Sequence, residues 1–141
     1  MGGTEEPVQK GVRVVLTHPW PRVEGSIGDE GVIVGIDYWH EQVHSFVVKY
    51  DRGRQVTHPG WHALEIVQCR PDDPCLKAEA FTEWAFKEHS IPAGRSRFQG
   101  TVWAFMLEGK DGASATALMN RMFKCDFGPA AAKQYDRLLS R

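Results

Sequence analysis

The sequence predicts an α+β protein in which a five-stranded antiparallel barrel is followed by a compact bundle of three or four short helices. Three observations lead there. In the first half, short runs of Val, Ile, Leu and Phe alternate with other residues at a period of two, as half-buried strands require. After Cys69 that period vanishes and apolar residues recur every three or four positions, as on a helix face. Between the two patterns lies Arg70-Pro71-Asp72-Asp73, a breaker stretch. The expected organisation is a disordered lead-in over residues 1–9, a barrel over 10–69 and a helical subdomain over 72–141.

The barrel is organised around Gly31 to Asp51. Val32, Val34 and Ile36 alternate with Ile33, Gly35 and Asp37; after a polar turn over His40 to Val43, Phe46, Val48 and Tyr50 alternate with Val47 and Lys49. Both runs are rich in the β-branched and aromatic residues that suit a pleated surface. Before them, GVRVVL (11–16) forms a first strand with Val12, Val14 and Leu16 on one face. The segment between, THPWPRVEGSIGDE, sets Trp20 between Pro19 and Pro21, which hold the backbone extended and donate no ladder hydrogen bond. Asp51-Arg52-Gly53-Arg54 is a tight turn with Gly placed for positive φ. RQVTH then forms a fourth strand, His58-Pro59-Gly60-Trp61 breaks the chain, and ALEIV closes the sheet with Leu64 and Ile66 inward.

In the second half, Asp73 and Pro74 are suited to the cap and first position of a helix whose face is Leu76, Ala80, Phe81, Trp84 and Ala85. Ser96 and Gln99 have capping-box spacing for a second helix, with Phe98, Val102, Phe105 and Met106 together. Gly109 and Gly112 punctuate its end. A third helix, over residues 113–123, carries Ala115, Leu118, Met119 and Met122; Gly128-Pro129 opens a fourth with Ala131, Tyr135, Leu138 and Leu139 inward.

GDEGVIVGI resembles the start of a KOW-type element, and VVKYDRGR with LEIV resembles the closing half of Tudor, KOW and related SH3-like modules. The resemblance covers residues 10–68 and implies an SH3-like barrel. It implies binding rather than one particular ligand, because such barrels take RNA, DNA, ribosomal proteins and peptides alike. Trp20, Tyr38, Trp39 and Trp61 match, by loop position, the aromatics with which Tudor-type modules receive methylated residues.

A chain of 141 residues with a net charge of −1 has room for one ordinary domain or two small ones. Residues 1–70 carry seven Lys or Arg against nine Asp or Glu, and residues 71–141 ten against nine, so neither half is a polycation built to neutralise phosphates. No apolar run approaches the ~20 residues that span a bilayer, so no membrane partner is expected. MGGTEEPVQK lacks the apolar core and basic start of an export signal, and Cys69, Cys75 and Cys125 are an odd number. Reduced thiols and a cytoplasmic, bacterial or phage setting are the expectation.

His58, His62, Cys69 and Cys75 are residue types that bind zinc, but they lack the short C-x2-C spacing of a zinc knuckle. They are read as two surface histidines, a small buried Cys69, and Cys75 in a first helical turn. Cys75 as a thiol nucleophile would need an orienting third group, which the spacing does not supply. No Walker loop, G-x-S-x-G or H-E-x-x-H occurs. No catalytic residue, metal or cofactor is expected.

Aromatic residues are the stronger signal, because Trp and Tyr are enriched at binding hot spots. The expected partner surface is Trp20, Tyr38, Trp39 and Trp61, with Arg95 and Arg97 in a Pro/Gly loop as a second patch. Tyr38 and Trp39 are adjacent and face opposite ways, so one is expected to plug the barrel and the other to meet solvent. Trp84 and Trp103, at helical spacing, are expected in the core. The expected function is non-catalytic engagement of a partner protein by the barrel loops. The alternative is a nucleic-acid or nucleoprotein accessory factor, with the aromatics stacking and Arg95, Arg97, Lys124 and Lys133 on phosphates. A thiol or zinc enzyme is the third.

Overall fold

The computed structural model describes residues 11–17, 27–58, 64–69 and 74–141. The chain forms two compact units, Met1–Asp73 and Pro74–Arg141.

The first unit is a sheet of five antiparallel strands, β1 (Arg13–Leu16), β2 (Glu30–Trp39), β3 (Gln42–Tyr50), β4 (Gln55–His58) and β5 (Leu64–Gln68). Their order is β4-β3-β2-β1-β5. β4 and β5 are the two edges and do not pair with each other, so the sheet is not closed into the expected barrel. Closure needs a hydrogen-bonded ladder between the first and last strands of the sheet as well as an inward face. A period of two fixes only the inward face.

That face is the expected one for β1, where Val12, Val14 and Leu16 are buried, joined by Ile33, Phe46, Val48, Tyr50, Val56 and Leu64. In β2 it is Gly31 and Ile33 that are buried, while Val32, Val34 and Ile36 are half-buried. Gly31 pairs with Tyr50, and a Cβ there would lie 2.7 Å from the Lys49 carbonyl oxygen and 2.9 Å from the Tyr50 Cα. Only glycine admits that approach of two backbones. On the exposed side, the Arg13 guanidinium bridges Glu30 (3.0 Å) and Asp51 (2.8 Å). Gly53 adopts φ +93° in the β3–β4 turn, as its position predicts.

The second unit contains α1 (Pro74–Glu88), α2 (Arg95–Leu107), α3 (Gly112–Phe123) and α4 (Pro129–Leu139). Its core is aromatic: Phe81, Phe98, Trp103, Phe123, Phe127 and Tyr135 are all buried. The α2 face is as expected, with Phe98, Val102, Phe105 and Met106 inward. The α1 face is rotated, with Cys75, Ala78, Phe81, Thr82 and Ala85 inward and Leu76 exposed. α3 buries Thr116 and Phe123 in place of Leu118 and Met122, because the Thr116 hydroxyl donates to the Gly112 carbonyl (2.7 Å) and so tolerates the interior. Trp103 is fully buried, as expected, whereas Trp84 is only half-buried.

The caps also differ. α2 begins on Gly94 with no side-chain cap, so the Ser96–Gln99 pair forms no capping box. α3 is capped by Asp111, which accepts from the Ser114 N–H (2.7 Å); that hydrogen bond holds its carboxyl below the usual range. Gly112 lies inside α3, not between helices; its N–H donates to Asp136 Oδ1 (2.7 Å), and a Cβ there would collide with the Ala132 carbonyl of α4. Asn120 clamps the α3–α4 connection, donating to the Phe127 carbonyl (3.0 Å) and accepting from its N–H (2.9 Å).

Candidate functional site: the β2–β3 hairpin

β2 and β3 run past their neighbours. β1 pairs with β2 as far as Val32, extended by backbone bonds between Gly11, Val12 and Ile33. β4 pairs with β3 only over Phe46 to Lys49. Among the described residues, the remaining pairs Asp37↔Ser45, Tyr38↔Val43 and Trp39↔Gln42 form a two-stranded ribbon with no third strand. The ribbon turns on two residues only, His40 (φ 51°) and Glu41 (φ 64°), both left-handed. This is the twist-matched hairpin geometry, reached without the Asn-Gly that usually signals it. The expected four-residue turn is shorter because Gln42 and Val43 join the ladder.

Among the described residues no strand lies along either edge of the ribbon, and although Ser45 is buried, Asp37, Tyr38 and Trp39 are all exposed. Tyr38 is 47% exposed and Trp39 64%. The expectation that one of them plugs the barrel is therefore corrected, since both meet solvent. The Trp39 ring lies 4.3 Å from that of His40 and 6.3 Å from that of His44. The register shift after Asp37 makes His44 the extra residue of a bulge. Ser45, nearly buried, donates to Asp37 Oδ2 (3.2 Å). From Gly31 to Val48 there is no Lys or Arg, so the carboxylates of Asp37 and Glu41 set the charge of the ribbon.

Trp20, Trp61 and His62 lie outside the described residues. Arg95 and Arg97 belong to the helical unit and diverge. Arg95 lies over the Phe86 ring (5.6 Å) and 3.8 Å from Glu83, while Arg97 lies over the Phe123 ring (5.4 Å). Lys124 takes a left-handed C-cap position and Lys133 is exposed on α4.

The zinc and thiol readings meet a chemical obstacle. Cys69 and Cys75 are disulfide-bonded, so neither offers the thiolate that binds zinc or attacks a substrate, and Cys125 is the free cysteine. The expectation of three reduced thiols is corrected accordingly, and with it goes the cysteine argument for a cytoplasmic setting. Among the described residues, no helix is long and apolar enough to cross a membrane.

His58, expected at the surface, is 1% exposed, with its Nε2 2.7 Å from the Tyr50 hydroxyl. Burial lowers its pKa, and burial together with Asp29 pushes the Tyr50 phenol up to about 12. Both shifts favour the neutral forms; with Nε2 unprotonated, the phenol donates to it. The signal was in the sequence. Val56 and His58 are two apart on one strand, so a buried Val56 carries His58 inward. The Pro-Gly after it outweighed that period.

Neither a protein-family model nor a curated protein nor a solved structure matches this chain.

Proposed function

We propose that this protein is a non-catalytic binding module that engages a partner protein through the tip of the β2–β3 hairpin. One observation carries the reading. Tyr38 and Trp39, two large amphipathic side chains, stand exposed on a ribbon that, among the described residues, no other strand flanks. Rigid aromatics bring large contact area at low entropic cost, which is why they dominate hot spots. A backbone locked into a ladder and a tight turn presents them preorganised. The SH3-like resemblance adds support only at the level of binding. A nucleic-acid role draws less support, since Arg95 and Arg97 lie over separate rings and the ribbon bears carboxylates.

The test is capture of partners from a lysate by the tagged full chain, run with and without nuclease, beside Trp39→Ala and Tyr38→Ala. A nuclease-resistant protein partner retained by the wild type and lost by either variant is the expected result. A partner that vanishes with nuclease, or one that both variants hold as well as the wild type, overturns the proposal.

A further inference from the structure

We infer that the segment received by the hairpin is basic, and that it sets an arginine or lysine side chain against the Trp39 indole beside Asp37. This rests on the binding role proposed above and names the chemistry of its partner. Asp37 and Trp39 are two residues apart on β2 and share one face of the ribbon. The Ser45 hydroxyl, itself nearly buried, orients the Asp37 carboxylate at 3.2 Å. Glu41 adds a second exposed carboxylate at the turn. The charges of the ribbon are thus of one sign, with no Lys or Arg from Gly31 to Val48 to neutralise them.

That charge pattern sorts the possible occupants. A phosphate backbone would meet two like charges and, within the ribbon, no Lys or Arg, the reverse of what nucleic-acid affinity requires. A purely apolar surface could cover Tyr38 and Trp39 only by taking the Asp37 carboxylate out of water with the Ser45 hydroxyl but no counter-charge beside it. A second copy of the ribbon would bring carboxylate to carboxylate. A basic segment pairs with both carboxylates and places a cation where an indole face attracts one.

The experiment uses the full chain at about 0.15 M salt, where long-range attraction is screened and contact remains. Three fluorescein-labelled probes are titrated with anisotropy detection: a hexapeptide of alternating Gly and Arg, the same peptide with Gln for Arg, and a hexathymidine. Amide NMR then maps the site. The arginine peptide is expected to bind saturably, shifting amides of residues 37–45, and the other two are not. The double variant Asp37→Asn with Glu41→Gln is expected to weaken it about fivefold, as loss of two exposed ion pairs should. Absence of saturable binding, a double variant as tight as wild type, or hexathymidine shifting the same amides overturns the inference. The two proposals fail differently. If a captured protein partner is lost by Trp39→Ala yet held at full strength by the double variant, the binding role stands and the basic partner falls. If Trp39→Ala keeps that partner the inference falls, and if Tyr38→Ala keeps it as well, both fall.

Discussion

In the helical unit, Phe81 packs against Phe98, Phe127 and Tyr135 at ring separations of 5.5–6.3 Å, and Phe98 in turn meets Phe123 and Phe127 at 5.7 and 6.2 Å. In the sheet unit, Tyr38 and Trp39 are exposed at the end of a ribbon, and among the described residues the buried aromatics are Phe46 and Tyr50. The same class of side chain does opposite work in the two places. A helix gathers residues three and four apart onto one stripe, and neighbouring helices cover that stripe along its length. A hairpin is covered only where other strands lie beside it. Where β2 and β3 outrun β1 and β4, Ser45 is still buried, but Tyr38 and Trp39 are exposed. Position relative to neighbouring elements, rather than hydrophobicity, decides which aromatic is core and which is surface.

The largest expected effect tests the core side of that comparison. Phe81 is fully buried and touches aromatics from three other segments, so Phe81→Ala leaves a cavity that rigid ring neighbours cannot fill. A loss of roughly 3–5 kcal/mol is expected, read by urea denaturation of the full chain. A loss below about 1 kcal/mol would mean that this cluster is loosely packed and that the contrast between the units is one of exposure alone.

Much of this was legible in the sequence. Period two located all five strands, and Gly128-Pro129, Pro74 and the Gly53 turn marked ends that the structure keeps. What escaped were relations between elements. Whether β4 meets β5 is a property of shear and strand length, so the expected closure was not decided by residue pattern. Thr116 and Thr82 enter the helical core because each hydroxyl bonds to a carbonyl four residues earlier, which hydropathy alone does not reveal. The pattern placed one of Tyr38 and Trp39 in solvent without saying which; the exposure of both depends on where β1 and β4 stop. Disulfide bonding of Cys69 and Cys75 was hidden by an odd cysteine count, which argues against a disulfide framework.

A second effect belongs to the sheet unit's own polar core, the Tyr50–His58 pair. His58 has its pKa lowered by burial from an ordinary 6.5. The unfolded chain then takes up a proton more readily than the folded one just below that value, so protons favour unfolding there. The stability this histidine contributes is present above pH 6.5 and is lost as pH falls toward its folded pKa. Tyr50 acts at the other end. Its phenol is raised from 10.0 to about 12, so the unfolded chain loses that proton first and stability declines as pH rises above 10. Melting temperature followed from pH 4 to 11 should show a plateau between those limits. His58→Gln should flatten the acid limb relative to wild type, and an acid limb unchanged in that variant would count against the assignment.

Smaller still, and opposite in sign, is the effect of one atom in the helical core. The Tyr135 hydroxyl is fully buried without a hydrogen-bond partner, and burial with Asp136 nearby, as well as Glu108 and Asp111, pushes its pKa upward. A buried hydroxyl left unpaired carries a desolvation cost. Tyr135→Phe keeps the ring against Phe81 and should raise stability by about 1 kcal/mol, visible as a shift in urea midpoint at unchanged slope. A loss instead would show that the hydroxyl meets a partner in solution.

The smallest expected effect is also the one that bears on function. Trp39 is 64% exposed, and its ring contacts are His40 and His44 of the same hairpin. Removing the indole therefore opens no cavity and leaves the ladder pairs of β2 and β3 in place. Trp39→Ala should change stability by no more than about 0.5 kcal/mol, as for surface substitutions generally. Trp103, 0% exposed on α2, is the matched control for the same chemical change. Trp103→Ala should cost roughly 3–5 kcal/mol. The pair measures what burial does to one residue type within one chain, since deletion and probe are identical and only the surroundings differ. If Trp39→Ala were as destabilising as Trp103→Ala, the ribbon would be a structural element folded under a cover. Its aromatics would then be unavailable to any partner, and the proposed function would lose the observation on which it stands.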